Sequence, residues 1–426
     1  MPQRRALLLD ASCTVPAGHN GRLCRLFARV LEQRGYGARY LIPRHGIAAF
    51  PGEEAAVDRA LPYPYRQRYG HFDTPDHPLD ARLNGIVKAA QPTARFGWLQ
   101  RRSADGRVTR LLGRGLAPAL DRLQLGASDL VMLPSADLYG SGALLAWLAR
   151  RPPETSPAVL LRFLDILETE ALHRPYARLK ALLRKAVRLQ RRGHAIHLAA
   201  EVAPWAERLQ RRIEGALPVP VIPAPPRAAL PAPRPRDTGR LGLSLVSLRR
   251  GEQGVHRLAA ILGGIPAALR QRLDVVAQAP YPGLSVNEAR QAFLSRAPGL
   301  GVRLVDDRLD DAALGGTLAG LDVTLLPYLP ECYVTRGSSM FFEAADQGHR
   351  LLASAGCGFS PEVEGFGLGR LCRSDADFSQ ALAALLQALA EGRHPRPESE
   401  AAAARYNAHR QRQLDQALDA VAARKD

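Results

Sequence analysis

The residues best suited to chemistry cluster in one stretch, Leu321 to Gly358, LDVTLLPYLPECYVTRGSSMFFEAADQGHRLLASAGCG. Arg336 precedes the hydroxyl pair Ser338 and Ser339, and Glu343 lies about one turn further on. The apolar run Val323 to Leu326 predicts a buried strand, the polar residues after it a loop, the segment opening near Ser338 a helix, and Leu351 to Ala353 a second strand. A strand, a polar loop and a helix whose first N–H groups face that loop form an anion site, and a diphosphate is the commonest such ligand. In that reading Ser338 and Ser339 offer hydroxyls and backbone N–H groups to phosphate oxygens, with the Arg336 guanidinium nearby. The plain alternatives are ordinary N-capping by the serines and a solvated helix face for Glu343.

The rest of the chain supplies elements to position this stretch. RALLLDAS opens it as a buried parallel strand, and a loop, CTVPAGHNG, follows. Leu23, Leu26, Phe27, Val30 and Leu31 then mark an amphipathic helix that stops at Gly35, and Ala38 to Ile42 completes a βαβ unit. Residues 45–125 show no clear pattern; within them PYPYRQRYGHFDTPDHP reads as an exposed loop. Apolar runs at Leu130 to Leu133, Val159 to Phe163 and Ala195 to Ala199 predict three more strands, with a long basic helix from about Pro175 between the last two. Its stripe of Leu179, Leu182, Leu183, Ala186 and Val187 suits either packing on the sheet or contact with an anionic membrane.

Proline becomes frequent at PVPVIPAPPRAALPAPRPRDTG, which predicts a semi-rigid hinge over 217–236. A second βα series follows: strands at Leu241 to Leu245, Asp274 to Ala277 and Val302 to Val305, a helix from about Val255 to Leu273, and then the opening stretch. FGLGRLCR and the helix DADFSQALAALLQAL close it, and the last thirty or so residues predict a charged helix outside either sheet. The expected domains are 1–235, 236–395 and a C-terminal helix over 396–426.

Composition narrows the class. The 426 residues are 46% hydrophobic and 23% charged, as in a globular chain long enough for two cores. No run of about 18 apolar residues and no secretory pattern occur, which predicts a cytoplasmic protein, at most peripheral to a membrane. The five cysteines form no CxxC pair or zinc-like cluster, so reduced thiols and no metal are expected. The net charge of +17 is uneven: residues 1–236 hold 37 Lys and Arg against 19 Asp and Glu, and the remainder 21 against 22. A solvated arginine-rich surface is the plain reading of the basic half; a face for anionic lipid or nucleic acid is the sharper one.

The segments GVRLVDDRLDDAALGGTLAGLDVTLLPY, RGSSMFFEAADQGHRLLASAGCG and GLGRLCRSDADFSQAL resemble the C-terminal domain of the GT-B glycosyltransferases, most closely the large retaining family 4 (glycosyl transferases group 1). The likeness covers roughly residues 240–390; AAEVAPWAERL and PVPVIPAP extend it more loosely into the first half. The resemblance implies an α/β fold of two Rossmann-like βα domains facing across a cleft, the first for the acceptor and the second for the donor. It further implies metal-independent transfer of a sugar from a nucleoside diphosphate sugar to a glycan or lipid-linked acceptor, with no cofactor. Glu343 stands where the family's second glutamate holds the nucleotide ribose.

The chain also departs from the family. Seven residues separate the family's paired glutamates, which places Thr335 where the first should be. The EGFGL at Glu364 to Leu368 has Cys372 in place of a second glutamate and reads as a loop lookalike. In SLRRGEQGVHRL, aligning Gly254 with the family's glycine leaves Gln253 and Leu248 at the phosphate-binding Lys and Arg positions, so Arg249 and Arg250 are the expected substitutes.

On the acceptor side, His19, Asn20 and Gly21 fall at the start of the first helix, Asp137 follows one strand, and Arg162 and Asp165 lie at the end of another. Asp165 is the candidate to orient an acceptor hydroxyl, since a carboxylate within reach can take its proton; a structural role is its plain alternative. No nucleic-acid module is recognisable, so specific nucleic-acid binding is not expected. A non-catalytic protein on the same fold is the competing reading.

Overall fold

The computed structural model describes residues 4–10, 13, 19–43, 56–61, 97–164, 175–227, 239–248, 251–278, 288–305, 309 and 311–423. They divide into two units, one of residues 1–201, 205–225 and 413–426 and one of 202–204 and 226–412. Each is built on its own six-stranded parallel sheet.

The first unit contains β1 (Arg4–Leu9), α1 (His19–Gln33), β2 (Tyr36–Pro43), β3 (Val57–Leu61), α2 (Gly97–Leu123), β4 (Leu130–Leu133), α3 (Leu138–Leu148), β5 (Ala158–Phe163), α4 (Pro175–Arg191), β6 (Ile196–Ala200) and α5 (Ala203–Arg212). Its strand order is β3-β2-β1-β4-β5-β6. The central strands are apolar on both faces because helices cover both, so Leu130–Leu133 and Ala158–Phe163 are buried throughout. Two elements lie in the stretch that shows no pattern in sequence. β3 is an edge strand whose Asp58 pairs with Arg39 of β2 across 3.1 Å. α2 is a long helix interrupted in composition by Pro118 and glycines. The aromatic segment PYPYRQRYGHFDTPDHP lies outside the described residues.

The stripe Leu179, Leu182, Leu183, Ala186 and Val187 on α4 is buried, while Arg184, Arg188 and Arg191 are exposed. Its apolar stripe is core, and these arginines meet solvent. The first part of the expected hinge is also fixed: Val221 bridges in parallel to Ala200 at the edge of β6, and Ile222 and Ala224 are buried.

The second unit contains β7 (Leu241–Leu245), α6 (Leu258–Gly263), α7 (Ala267–Arg270), β8 (Leu273–Gln278), α8 (Glu288–Arg296), β9 (Val302–Val305), α9 (Asp311–Ala319), β10 (Val323–Leu326), α10 (Pro330–Tyr333), α11 (Ser339–Asp346), β11 (Arg350–Ser354), α12 (Ser360–Gly365), β12 (Gly369–Cys372) and α13 (Asp375–Ala390), with sheet order β12-β11-β10-β7-β8-β9. The single helix expected over Val255 to Leu273 is instead a 3-10 turn at Val255–Arg257 followed by α6 and α7. Gly264 ends α6 where a Cβ would lie 2.5 Å from Ser379 Oγ of α13, and Pro266 starts the next turn.

The last helix, α14 (Arg396–Ala423), is divided between the units: its residues to Arg412 cluster with the second and those from Gln413 with the first. Tyr406 packs on Phe341 and Phe366, and Leu414, Leu418 and Val421 are buried. Among the described residues no helix is long and apolar enough to cross a membrane.

Candidate functional site

In the second unit β7 and β10 are neighbours, and their connections lead to opposite halves of the sheet. The carboxyl ends of such a strand pair form the crevice where open α/β sheets take ligands. The loop after β7 crosses this crevice at Gly254, whose φ of 75° is left-handed and whose Cβ would fall 1.9 Å from the Pro327 carbonyl oxygen. Only glycine lets the two loops approach this closely. Leu329 N–H donates to the Glu252 carbonyl at 3.0 Å and closes the contact.

The loop after β10 carries the predicted donor residues. Ser338 N-caps α11: its backbone is extended and its Oγ accepts from Phe341 N–H at 3.3 Å. The same Oγ lies 3.1 Å from the Tyr328 hydroxyl, which burial keeps protonated by pushing its pKa up. The Ser338 hydroxyl is therefore committed to the cap. What α11 leaves toward the loop is the Ser339 hydroxyl, which is only partly buried, and the first-turn N–H groups that every helix start leaves without an intrahelical acceptor.

Arg336 lies in the same loop with its guanidinium 4.4 Å from the Tyr333 ring centroid. Gly358, in the loop after β11, donates to the Tyr333 carbonyl at 2.7 Å, and a Cβ there would sit 2.8 Å from the Arg336 carbonyl oxygen. Arg336, Ser338 and Ser339 are thus held on one loop braced by two glycines. Thr335, where the resemblance places a glutamate, is buried. Arg249 and Arg250 lie outside the described residues.

Glu343 is not on a solvated helix face. It is buried, and Arg227 Nη2 donates to its Oε1 at 3.0 Å and lies 2.9 Å from Oε2. One turn along α11, Asp346 pairs with Arg410 of α14 at 3.0 Å. Burial raises the Asp346 pKa from 3.8 to about 6, with the Arg410 charge opposing the shift.

Arg257, which sequence reasoning passed over, ends the 3-10 turn after Gly254. Its Nη1 donates to the Pro327 carbonyl at 3.0 Å and to Ser354 Oγ at 3.1 Å, and its Nε to Asp375 at 2.6 Å. It therefore stands at the carboxyl ends of β10 and β11. The available signal was an arginine in the apolar context GVHRLAAIL, three places after a glycine that loop geometry requires.

In the first unit the predicted residues separate into two groups. Asn20, on α1, donates to Asp10 at the end of β1 at 3.4 Å, and Gly21 is buried beside it. His19 begins α1, but its side chain, like the whole of Asp165, lies outside the described residues. Asp137 follows β4 and Arg162 lies near the end of β5, where Ala136 N–H donates to the Arg162 carbonyl at 2.8 Å. Both are structural there. Asp137 caps α3 by accepting from Tyr139 and Gly140 N–H at 2.8 and 2.6 Å. Arg162 is fully buried, with Nε donating to Ile222 O at 2.6 Å, Nη1 to Pro134 O at 2.8 Å and Nη2 to Glu201 at 2.9 Å. The acceptor role expected of Arg162 has no solvent-facing atom to support it. Among the described residues no group of three or more His, Cys, Asp or Glu is arranged to hold a metal ion.

No family model matches the chain, and no curated protein does. Solved structures match it along its whole length. Sucrose-phosphate synthase from Thermosynechococcus elongatus is 14% identical with a TM-score of 0.60, over 98% of this chain and 96% of that one. A UDP-forming α,α-trehalose-phosphate synthase from Burkholderia xenovorans is 15% identical with a TM-score of 0.60, over 99% and 98%. HepE from Anabaena, solved in complex with UDP and glucose, is 15% identical with a TM-score of 0.55, over 98% and 100%. At these identities the likeness is one of fold: the chain has the GT-B glycosyltransferase fold, with two Rossmann-like units on six-stranded parallel sheets.

Proposed function

We propose that the chain is a metal-independent glycosyltransferase that moves a sugar, with retention of configuration, from a nucleoside diphosphate sugar to a glycan or lipid-linked acceptor. The product would belong to a bacterial cell-surface polysaccharide or glycolipid. The observation that carries this reading is the loop between β10 and α11, which ends in a capped helix N-terminus at the switch point of a parallel sheet. A departing diphosphate needs stabilisation there, and without a metal it comes from helix N–H groups and cations. Ser339, the backbone at Ser338 and Ser339, and Arg336 are the groups available, with Arg249 and Arg250 from the loop after β7. Glu343 would take the ribose hydroxyls on exchange of its contact with Arg227. The UDP and glucose bound to HepE, a protein of the same fold, support this ligand class.

The first unit would hold the acceptor, with His19, Asn20 and Gly21 at the start of α1 and Asp165 beyond β5 orienting the attacking hydroxyl. The exposed arginines of α4 would rest against anionic lipid at the cytoplasmic face of the cell membrane. Because the apolar stripe of that helix is buried, this contact is electrostatic and does not involve insertion.

Thermal shift with UDP, GDP, ADP, dTDP and CMP tests the donor half directly. One strong responder is expected and would identify the base. Five flat traces would overturn the reading in favour of a non-catalytic protein on this fold, an alternative that Thr335 at the missing glutamate specifically favours.

A further inference from the structure

We propose that Arg257 is the fixed cation of the diphosphate site, the one that receives the leaving phosphate oxygens from the β7–β10 side. The inference rests on the nucleoside-diphosphate reading for its ligand and on the structure for its position. Gly254 brings the loop after β7 against Pro327, and Arg257 follows on the very next turn. Its guanidinium is tied at three points belonging to three separate segments: Pro327 after β10, Ser354 at the end of β11, and Asp375 at the start of α13. The Phe378 ring, 5.3 Å away, backs it.

Such a group has already lost its side-chain freedom before any ligand arrives. It can meet developing negative charge without reorganising, which is the condition under which a cation contributes most to a transition state. Nη2, the remaining corner of the fork, makes no hydrogen bond to a described residue, and the side chain is 13% exposed. The fork therefore keeps donors in hand for one phosphate group. The pairing with Asp375 does not cancel the charge, because that carboxylate is 38% exposed and screened by water.

The direction of the charge is visible in its neighbours. The field of Arg257 opposes the upward pull of burial on the thiols of Cys357 and Cys372, which lie in the loop after β11 and at the end of β12. The guanidinium thus stands at the carboxyl-terminal edge of the sheet, where its contacts with Pro327 and Ser354 also place it. Arg336 stands on the neighbouring loop that begins at Pro327.

The test compares wild type, Arg257→Gln and Arg257→Lys in the full chain, with inorganic pyrophosphate, the nucleoside diphosphate that gives the strongest response, and its parent nucleoside as probes. Wild type should bind the diphosphate more tightly than the nucleoside. In Arg257→Gln the diphosphate Kd should rise about tenfold or more with nucleoside binding unchanged, and pyrophosphate stabilisation should vanish. Arg257→Lys, which keeps the charge but not the fork, should recover part of the loss and serves as the readable variant if Gln does not fold. A diphosphate-to-nucleoside ratio unchanged in a folded variant overturns the role of Arg257 and leaves the nucleotide reading standing. Arginine-dependent pyrophosphate binding without any nucleoside diphosphate response does the reverse. No response of wild type to any probe overturns both.

Discussion

Arg227 and Glu343 form an ion pair that is nearly sealed from water, with side chains 11% and 7% exposed. The backbone N–H of Arg227 also donates to Asp346, one turn further along the same helix. α11 therefore grips the chain where the second unit begins. Arg227→Met should leave a buried carboxylate without its counter-charge and cost about 3–5 kcal/mol. Arg227→Met combined with Glu343→Leu should recover much of that loss. Denaturant unfolding of the four species in a double-mutant cycle gives the coupling, and additive losses would count against the pair.

Gly254→Ala should be among the more damaging single-methyl changes in the chain. Its φ of 75° and the 1.9 Å approach of a Cβ to Pro327 O both oppose a side chain. Strain of this kind costs about 1–3 kcal/mol, and relief requires the loop to move away from β10. Nucleotide-induced stabilisation should fall along with the melting temperature, measured on the same samples.

Arg162 should behave as a structural residue. A lysine cannot reach Ile222 O, Pro134 O and Glu201 together, so Arg162→Lys should lower stability by about 2–4 kcal/mol. The proposed donor site lies in the other unit, so a nucleotide response should persist in the folded fraction. Loss of that response with stability intact would contradict the assignment.

Glu362, on α12, gives a pH dependence of definite sign. Burial raises its pKa from 4.5 to about 7, and its Oε2 has no partner among the described residues. The native state therefore binds the proton more tightly than the unfolded chain does. This contribution to stability is fully present below pH 4.5 and is lost as pH rises through about 7. Glu362→Gln should flatten the profile over that window and be more stable than wild type at pH ~8, by on the order of 1–3 kcal/mol. Melting curves across the range decide it; a parallel profile for the variant would refute the assignment.

Reversal of Arg184, Arg188 and Arg191 to glutamate should abolish binding to acidic vesicles and alter stability by less than about 0.5 kcal/mol, since all three are exposed. Crowded cations already mark this face, because burial and then the charges of Arg188 and Arg150 lower the Lys185 pKa. Co-sedimentation at low and high salt measures the effect. Vesicle binding by wild type that ignores salt would argue against an electrostatic contact.

The sequence is informative about the strands for a physical reason. Parallel strands covered on both faces need apolar side chains throughout, so Leu130–Leu133, Leu241–Leu245 and Val323–Leu326 coincide with apolar runs. β3 escapes because an edge strand tolerates Asp58 and Arg59, and its ion pair with β2 is not a periodicity. The N-terminus of α11 is legible because a cap and its helix are neighbours in sequence. The commitments of Arg162, Arg227, Arg257 and Arg410 are not: Arg257 meets Asp375 across 118 positions and Arg227 meets Glu343 across 116. A composition so rich in arginine hides which of them are buried.

Glu343 and Asp346 hold Arg227 and Arg410, and these arginines lie just inside the two ends, Pro226 and Arg412, of the long stretch that makes up nearly all of the second unit. One helix thus fastens both ends of that stretch. Anyone expressing the second unit alone should place the ends accordingly. A fragment spanning 236–395, trimmed at the proline-rich stretch and before the last helix, would strip both carboxylates of their cations and bare Phe341 where Tyr406 had covered it. A fragment spanning 226–412 is longer but keeps all of these partners, and it is the piece expected to stay folded and monodisperse.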